Sequence, residues 1–165
     1  EQQKGLKEDY NVNNIYFNKI EYLQEKDIDP RLTENLKIDI RNYASINNNK
    51  MLFEVNAFNV QSTVSDSKNR VLPVYINRGF TDIDTIAYQL PKNVLPVVIP
   101  VTNVYKNEFG SYESKAFLKD GKLVYCRKIV LNDGTYPASS YNLFHKFMAD
   151  VNTADHLKII LSLKK

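Results

Sequence analysis

The chain offers few groups able to react covalently: one thiol, Cys126, and two imidazoles, His145 and His156. Thiol catalysis needs a stabilised thiolate, a base within hydrogen-bond reach and a third group that orients the base. Cys126 stands in Leu123-Val124-Tyr125-Cys126-Arg127, a strand-like run, not at a helix N-terminus that would favour a thiolate. His145 falls beside Phe144 in a stretch of helical periodicity, and His156 just past its end. These residues read as structural: a small packed cysteine and two surface or helix-terminal imidazoles. No catalytic residue is assigned, and no enzymatic activity is expected.

Metal and cofactor chemistry is equally thin. There is no Cys pair, no His-x3-His and no glycine-bearing calcium loop. Asp27-x-Asp29 and Asp82-x-Asp84 are carboxylate pairs in or near loops that could attract calcium, but solvated strand or loop edges are their usual explanation. Gly110, Gly121 and Gly134 are isolated turn glycines, so no phosphate cradle is expected. No cofactor and no metal site are assigned. A hydrolase using two carboxylates brought together only in space stays open, because such spacing is not written in sequence.

Binding surface is the remaining candidate chemistry. The chain holds 11 Tyr and 8 Phe but no Trp. Tyr105, Phe109 and Tyr112 surround the Asn107-Glu108-Phe109-Gly110-Ser111 loop. Exposed, they would form an aromatic patch for a protein or a sugar; inward, they would pack the end of a sheet. They are the candidate binding residues.

Those residues need elements to hold them. With 165 residues, 43% hydrophobic and 25% charged, the chain suits one soluble domain with a sizeable core. The net charge of +3 is scattered, which excludes the Lys/Arg runs typical of nucleic-acid binding. The longest apolar stretch, Val94 to Val104, is too short to span a bilayer and is broken by Pro96 and Pro100. A single cysteine permits either a reducing or an oxidising compartment. The chain begins at Glu1 without Met, so processing or cloning is expected to have set its start and to have hidden any signal peptide.

Residues Glu1 to Asp9 are polar and expected to fray. Asn14 to Ile20 reads as a strand, with helix as its competitor, and Glu21 to Arg31 as a charged loop closing on Asp29-Pro30. Leu36, Ile38 and Ile40 alternate with Lys37, Asp39 and Arg41, the pattern of a half-buried strand. Asn47-Asn48-Asn49 can turn the chain back into Met51 to Val55, so residues 36–55 are expected to be one hairpin. Arg70 to Ile76, Asp82 to Leu90 and Val97 to Ile99 read as further strands. Tyr112 to Leu118 and Lys122 to Leu131 flank Asp120-Gly121, a strong hairpin signal. Asn132-Asp133-Gly134 marks another turn. Periodicity then changes: Tyr141, Phe144, Phe147, Met148 and Val151 make one helical stripe over about 139–153, with Ser139 or Ser140 as cap. Leu157 to Leu163 is a closing strand with Leu157, Ile159, Leu161 and Leu163 inward and Lys158, Ile160 and Ser162 outward. The expected fold is mainly β: one antiparallel β-sandwich of about eight or nine strands over residues 1–165, with one C-terminal α-helix and a final strand.

Several segments resemble a known family. They are Phe109-Gly110-Ser111-Tyr112, Asp120 to Arg127, Gly134-Thr135-Tyr136-Pro137 with Tyr141 and Phe144, and Ala154-Asp155 with Ile159-Ile160-Leu161. Arg41 to Ser45, Arg70 to Val74 and Asp82 to Pro91 match its earlier strands. Together they resemble the C-terminal accessory domain, a domain of unknown function, of bacterial transglutaminase-like or cysteine-protease-like proteins. The likeness spans roughly residues 13–163. It implies a sandwich beside a papain-like core that this chain lacks, and a periplasmic or secreted setting. No catalytic residue carries over. The expected function is a non-catalytic accessory or interaction domain whose partner is a protein or neighbouring domain. A glycan-binding envelope module is the alternative.

Overall fold

The computed structural model describes residue 12 and residues 14–28, 31–67, 69–92, 94–98 and 102–163. The N-terminal segment expected to fray lies outside these, as do Asp29, Pro30 and Ile99. The chain divides into two compact units, Glu1–Ser45 and Ile46–Lys165.

The first unit holds a two-stranded antiparallel ribbon, β1 (Ile15–Glu25) and β2 (Arg31–Ile40). Pairing continues through Glu21↔Asn35 to Glu25↔Arg31, so the charged stretch expected as loop is ladder at residues 21–25. Its side chains face water while its backbone is paired, which the ladder allows. The alternation read for residues 36–41 holds, with Leu36, Ile38 and Ile40 half-buried and Lys37 and Asp39 exposed. A register shift between Phe17 and Lys19 keeps Ile15, Phe17 and Ile20 on the same face as those three.

That pairing changes one expectation. The partner of residues 36–40 is β1, not Met51 to Val55. Asn42 adopts a positive φ of 57° and turns the chain, after which β3 (Ser45–Asn47) pairs with β4 (Lys50–Glu54). The asparagine turn itself is as expected. Asn48 and Asn49 carry φ of 48° and 60°, the left-handed pair a two-residue hairpin needs.

The second unit continues with β5 (Val74–Ile76), β6 (Phe80–Gln89), β7 (Val94–Val98), β8 (Asn103–Asn107), β9 (Gly110–Lys119), β10 (Lys122–Leu131), β11 (Gly134–Tyr136) and β12 (Lys158–Leu163). The described residues therefore hold twelve strands, more than expected, because β3, β8 and β11 are too short for alternation to reveal. One sheet runs β6-β10-β9-β8, a second β3-β4-β12-β7, and β11 pairs with β5 alone. All pairing is antiparallel. The strand expected from Arg70 begins only at Val74. Pro73 removes a donor, and Arg70 donates from Nε to the Leu72 carbonyl (3.0 Å) and from Nη2 to the Pro73 carbonyl (3.1 Å), so both acceptors are met without a ladder.

Asp120 and Gly121 carry φ of 50° and 73° and close the β9–β10 hairpin in the expected register, Lys119↔Lys122. At the other end of β9, Gly110 has φ of 154° and faces Leu131. A Cβ there would lie 1.9 Å from the Val130 carbonyl oxygen. Gly110→Ala is expected to lower the unfolding free energy by roughly 2–3 kcal/mol, read from urea denaturation.

A 3-10 turn, Ala138–Ser140, leads into helix α1 (Tyr141–Asp155). Ser140 sits at the cap position but makes no side-chain cap bond, because its backbone is already helical at φ −78°, ψ −6°. Of the predicted stripe, Tyr141, Phe147, Met148 and Val151 are buried and Phe144 is half-buried against the same core, which Ala154 extends. They pack with Val74, Phe109, Tyr112 and Ile129 in one cluster. Beyond the helix, the two four-stranded sheets meet through an edge-on contact of Phe53 and Tyr88 (5.1 Å) and a Tyr88 hydroxyl bond to the Val55 carbonyl (2.7 Å). Ile159 and Leu161 of β12 are fully buried, as their alternation implied.

Candidate functional site

The densest polar chemistry lies where the helix end meets β10. Leu123, Tyr125, Arg127 and Ile129 share the inward face of β10, so the strand's period places one guanidinium in the core. Asp155 follows Met148 and Val151 at helical spacing and is likewise carried inward, to 0% exposure. A buried ion pair results. Arg127 Nε donates to Asp155 Oδ1 (2.7 Å) and Nη2 donates to Oδ2 (3.1 Å), a two-pronged contact. Arg127 Nη1 donates to Asp84 Oδ2 (2.9 Å).

Asp155 is fully engaged. Oδ1 also accepts the Tyr112 hydroxyl (2.7 Å), and Oδ2 accepts the Gln61 N–H (2.9 Å). Its position in the last helical turn is electrostatically unfavourable, since that end carries the negative pole of the helix dipole. Arg127 offsets this. Burial alone would lower the Arg127 pKa, but the Asp155 bonds and charge, with the Asp84 bond, hold the guanidinium above its ordinary range.

The helix anchors the long loop between β4 and β5 at both of its ends. Asn152 donates from Nδ2 to the Gln61 carbonyl (2.6 Å), and the Tyr141 hydroxyl donates to the Ser65 carbonyl. Asn56 and Asn59 bond each other within that loop, and Asn59 reaches Asp84. A connection without regular structure is thereby stitched to both helix and sheet.

What this arrangement can do chemically is limited. Among the described residues, no buried side-chain nitrogen or oxygen lacks a hydrogen-bond partner. The donors and acceptors of the cluster face one another. It acts as a clasp joining helix, sheet and loop.

Two hydroxyls in it report on pH. Burial raises the Tyr112 and Tyr125 pKa values above the ordinary tyrosine value, and the Asp155 charge adds to this. Both are at most 1% exposed. Their folded pKa values exceed the unfolded ones, so the unfolded chain releases these protons first. Their stabilising share is complete below about pH 10 and is lost as pH rises toward the folded values. Denaturant midpoints are expected to fall steeply above about pH 10. The slope is expected to flatten by about 1.4 kcal/mol per pH unit in Tyr125→Phe.

The structure places the sequence candidates as follows. Phe109 is fully buried, tilted against Tyr136 (4.4 Å) and Phe144 (5.0 Å). Tyr112 is buried, and Tyr105 stacks on it at 5.8 Å. The aromatic patch is thus packing of the sheet end against the helix, not exposed surface. The β8–β9 turn needs only Glu108 and Phe109; Phe109 is buried from the turn, and the β9 register turns Gly110 and Tyr112 inward.

Cys126 lies on the outer face of β10, with the Thr85 hydroxyl 4.0 Å from its Sγ. Its pocket of about 160 Å³ is lined by Ile83, Asp84, Thr85, Glu113, Lys115, Arg127 and Lys128 but by neither histidine. His156 lies 3.4 Å from Glu54, at the helix end. The Asp84 carboxylate is taken by Arg127 and Asn59, which leaves the Asp82-x-Asp84 pair no open cation site. Among the described residues no group of three or more His, Cys, Asp or Glu could hold a metal ion. No helix among them is long and apolar enough to cross a membrane.

Arg127 and Asp155 were given no site role by the sequence, and Asp84 only as half of the Asp82-x-Asp84 carboxylate pair. The available signal was positional: a charged residue on the apolar face of a strand, and another on the apolar stripe of a helix.

No curated protein and no solved structure gives a significant match to the chain. One family model does match, over residues 49–161, from the β3–β4 turn to β12, and its description is a domain of unknown function. The chain belongs to that family, DUF3858.

Proposed function

We propose that the chain is a non-catalytic accessory or interaction domain that packs on a protein partner or neighbouring domain of transglutaminase-like kind, in the periplasm or outside the cell. The observation that carries this is the closed polar cluster. Its charged groups are spent on one another, while the one thiol sits on an outer sheet face with no imidazole lining its pocket. Family membership supports the domain, and the segment resemblance supports its association with a catalytic core. A sugar-stacking role loses its platform, since Phe109 and Tyr112 are core residues.

The test is to purify the natural polypeptide or complex that carries this chain and to excise residues 49–161 from it. Excision is expected to lower the thermal midpoint or the substrate turnover of what remains. Unchanged stability and turnover would overturn the accessory role.

A further inference from the structure

The outer face of the β6-β10-β9-β8 sheet is unlike an ordinary solvated face. Antiparallel sheets with one wet side alternate apolar-in and polar-out. The central strand β10 does not: Val124, Cys126 and Val130 point outward opposite the buried Leu123, Tyr125 and Ile129. Apolar residues on both sides mark a strand covered on both sides. Cross-strand partners extend the outward apolar surface, with Phe117 and Ala87 beside Val124, and Ile83 beside Lys128. Ile83 and Val104 are 69% and 65% exposed.

Charge on this face is one-sided. Register places Lys106, Lys115, Lys119, Lys122 and Lys128 outward, against a single carboxylate, Glu113. Among the described residues none of these lysines has a salt bridge. Lys119 and Lys122 stand directly opposite each other, an arrangement that costs stability unless a counter-charge is near. Lys115 lies 6.0 Å from the centre of the Phe117 ring. At the centre, over Cys126, is the pocket of about 160 Å³, large enough for one aliphatic side chain. An apolar centre with an anchor pocket and a charged rim is the anatomy of a protein interface.

We propose that this face docks onto a protein surface that is apolar at its centre and acidic at its rim, seating one hydrophobic side chain over Cys126. The proposal deepens the interaction-domain reading and rests on it. A second copy of the chain does not fit, because a two-fold contact would set lysine against lysine. A phosphate polymer or lipid surface fits less well: the face carries no arginine fork, and its centre is apolar.

The test is zero-length carboxyl-to-amine cross-linking of the natural protein in its producing cells, read by mass spectrometry. Wild type is compared with Val124→Asp and with Lys115→Glu/Lys128→Glu, each first checked for an unchanged melting midpoint. The expected result is a recurring set of links from Lys115 and Lys128 to Asp or Glu of one partner surface. Val124→Asp is expected to lose them, and the double charge reversal to lower the links from Lys106, Lys119 and Lys122 to the same partner surface roughly tenfold. Links to a partner that run instead through other lysines, such as Lys19 or Lys37, would overturn this face while leaving the interaction-domain reading in place. Absence of any recurring partner would overturn both. Lysine-dependent binding to phosphatidylserine vesicles, or links only between copies of the chain, would also overturn the proposal.

Discussion

Arg127→Ala is expected to lower the unfolding free energy by about 3–5 kcal/mol, a large share of the stability of a domain this size. The substitution removes three donors and strands Asp155 as a buried, uncompensated carboxylate at the negative end of a helix. The Tyr112 hydroxyl and the Gln61 N–H remain on Asp155, but neither carries charge. Arg127→Lys is expected to recover only part of the loss, since one ammonium cannot span both carboxylates as the guanidinium fork does. The double variant Arg127→Ala/Asp155→Ala is expected to be less destabilised than the sum of its single variants, because each single variant strands the other's partner. Urea denaturation of all four proteins measures this. Additive losses would show that the clasp is not a coupled unit.

Phe109→Ala is expected to cost about 3–5 kcal/mol. The ring is fully buried between Tyr136 and Phe144, and it closes the sheet end against α1. A large loss in thermal and chemical stability is the signature of a core residue. A surface aromatic in the same turn would leave stability within about 0.5 kcal/mol of wild type. The comparison is Phe109→Leu, which keeps most of the apolar volume and is expected to retain most of the stability.

Much of the architecture was legible in the residues. Asp120-Gly121 and Asn48-Asn49 gave the two tight hairpins, because left-handed backbone is tolerated by few residue types. The change of period at Tyr141 gave the helix, and the alternation of Ile159 and Leu161 gave the closing strand. Partner choice was not legible. Residues 36–40 show which face they bury but not which strand they join, so the ribbon with β1 replaced the expected hairpin with Met51 to Val55. Short strands such as β11 have too few residues to show a period. The direction of Phe109 was also hidden, because a single aromatic in a turn fits either side of a sheet. The clasp was half-visible: alternation along Leu123 to Ile129 places Arg127 inward, but its partner lies 28 residues away on a different element.

On the function proposed above, this chain contributes no reacting group to catalysis. Removing the thiol and both imidazoles of this chain at once, as Cys126→Ser/His145→Ala/His156→Ala, with the rest of the natural protein unchanged, tests this through amine incorporation and amide hydrolysis by the transglutaminase-like partner proposed above. Progress curves are expected to overlay those of the unsubstituted protein. A loss of about a hundredfold or more, with the melting midpoint unchanged, would contradict it.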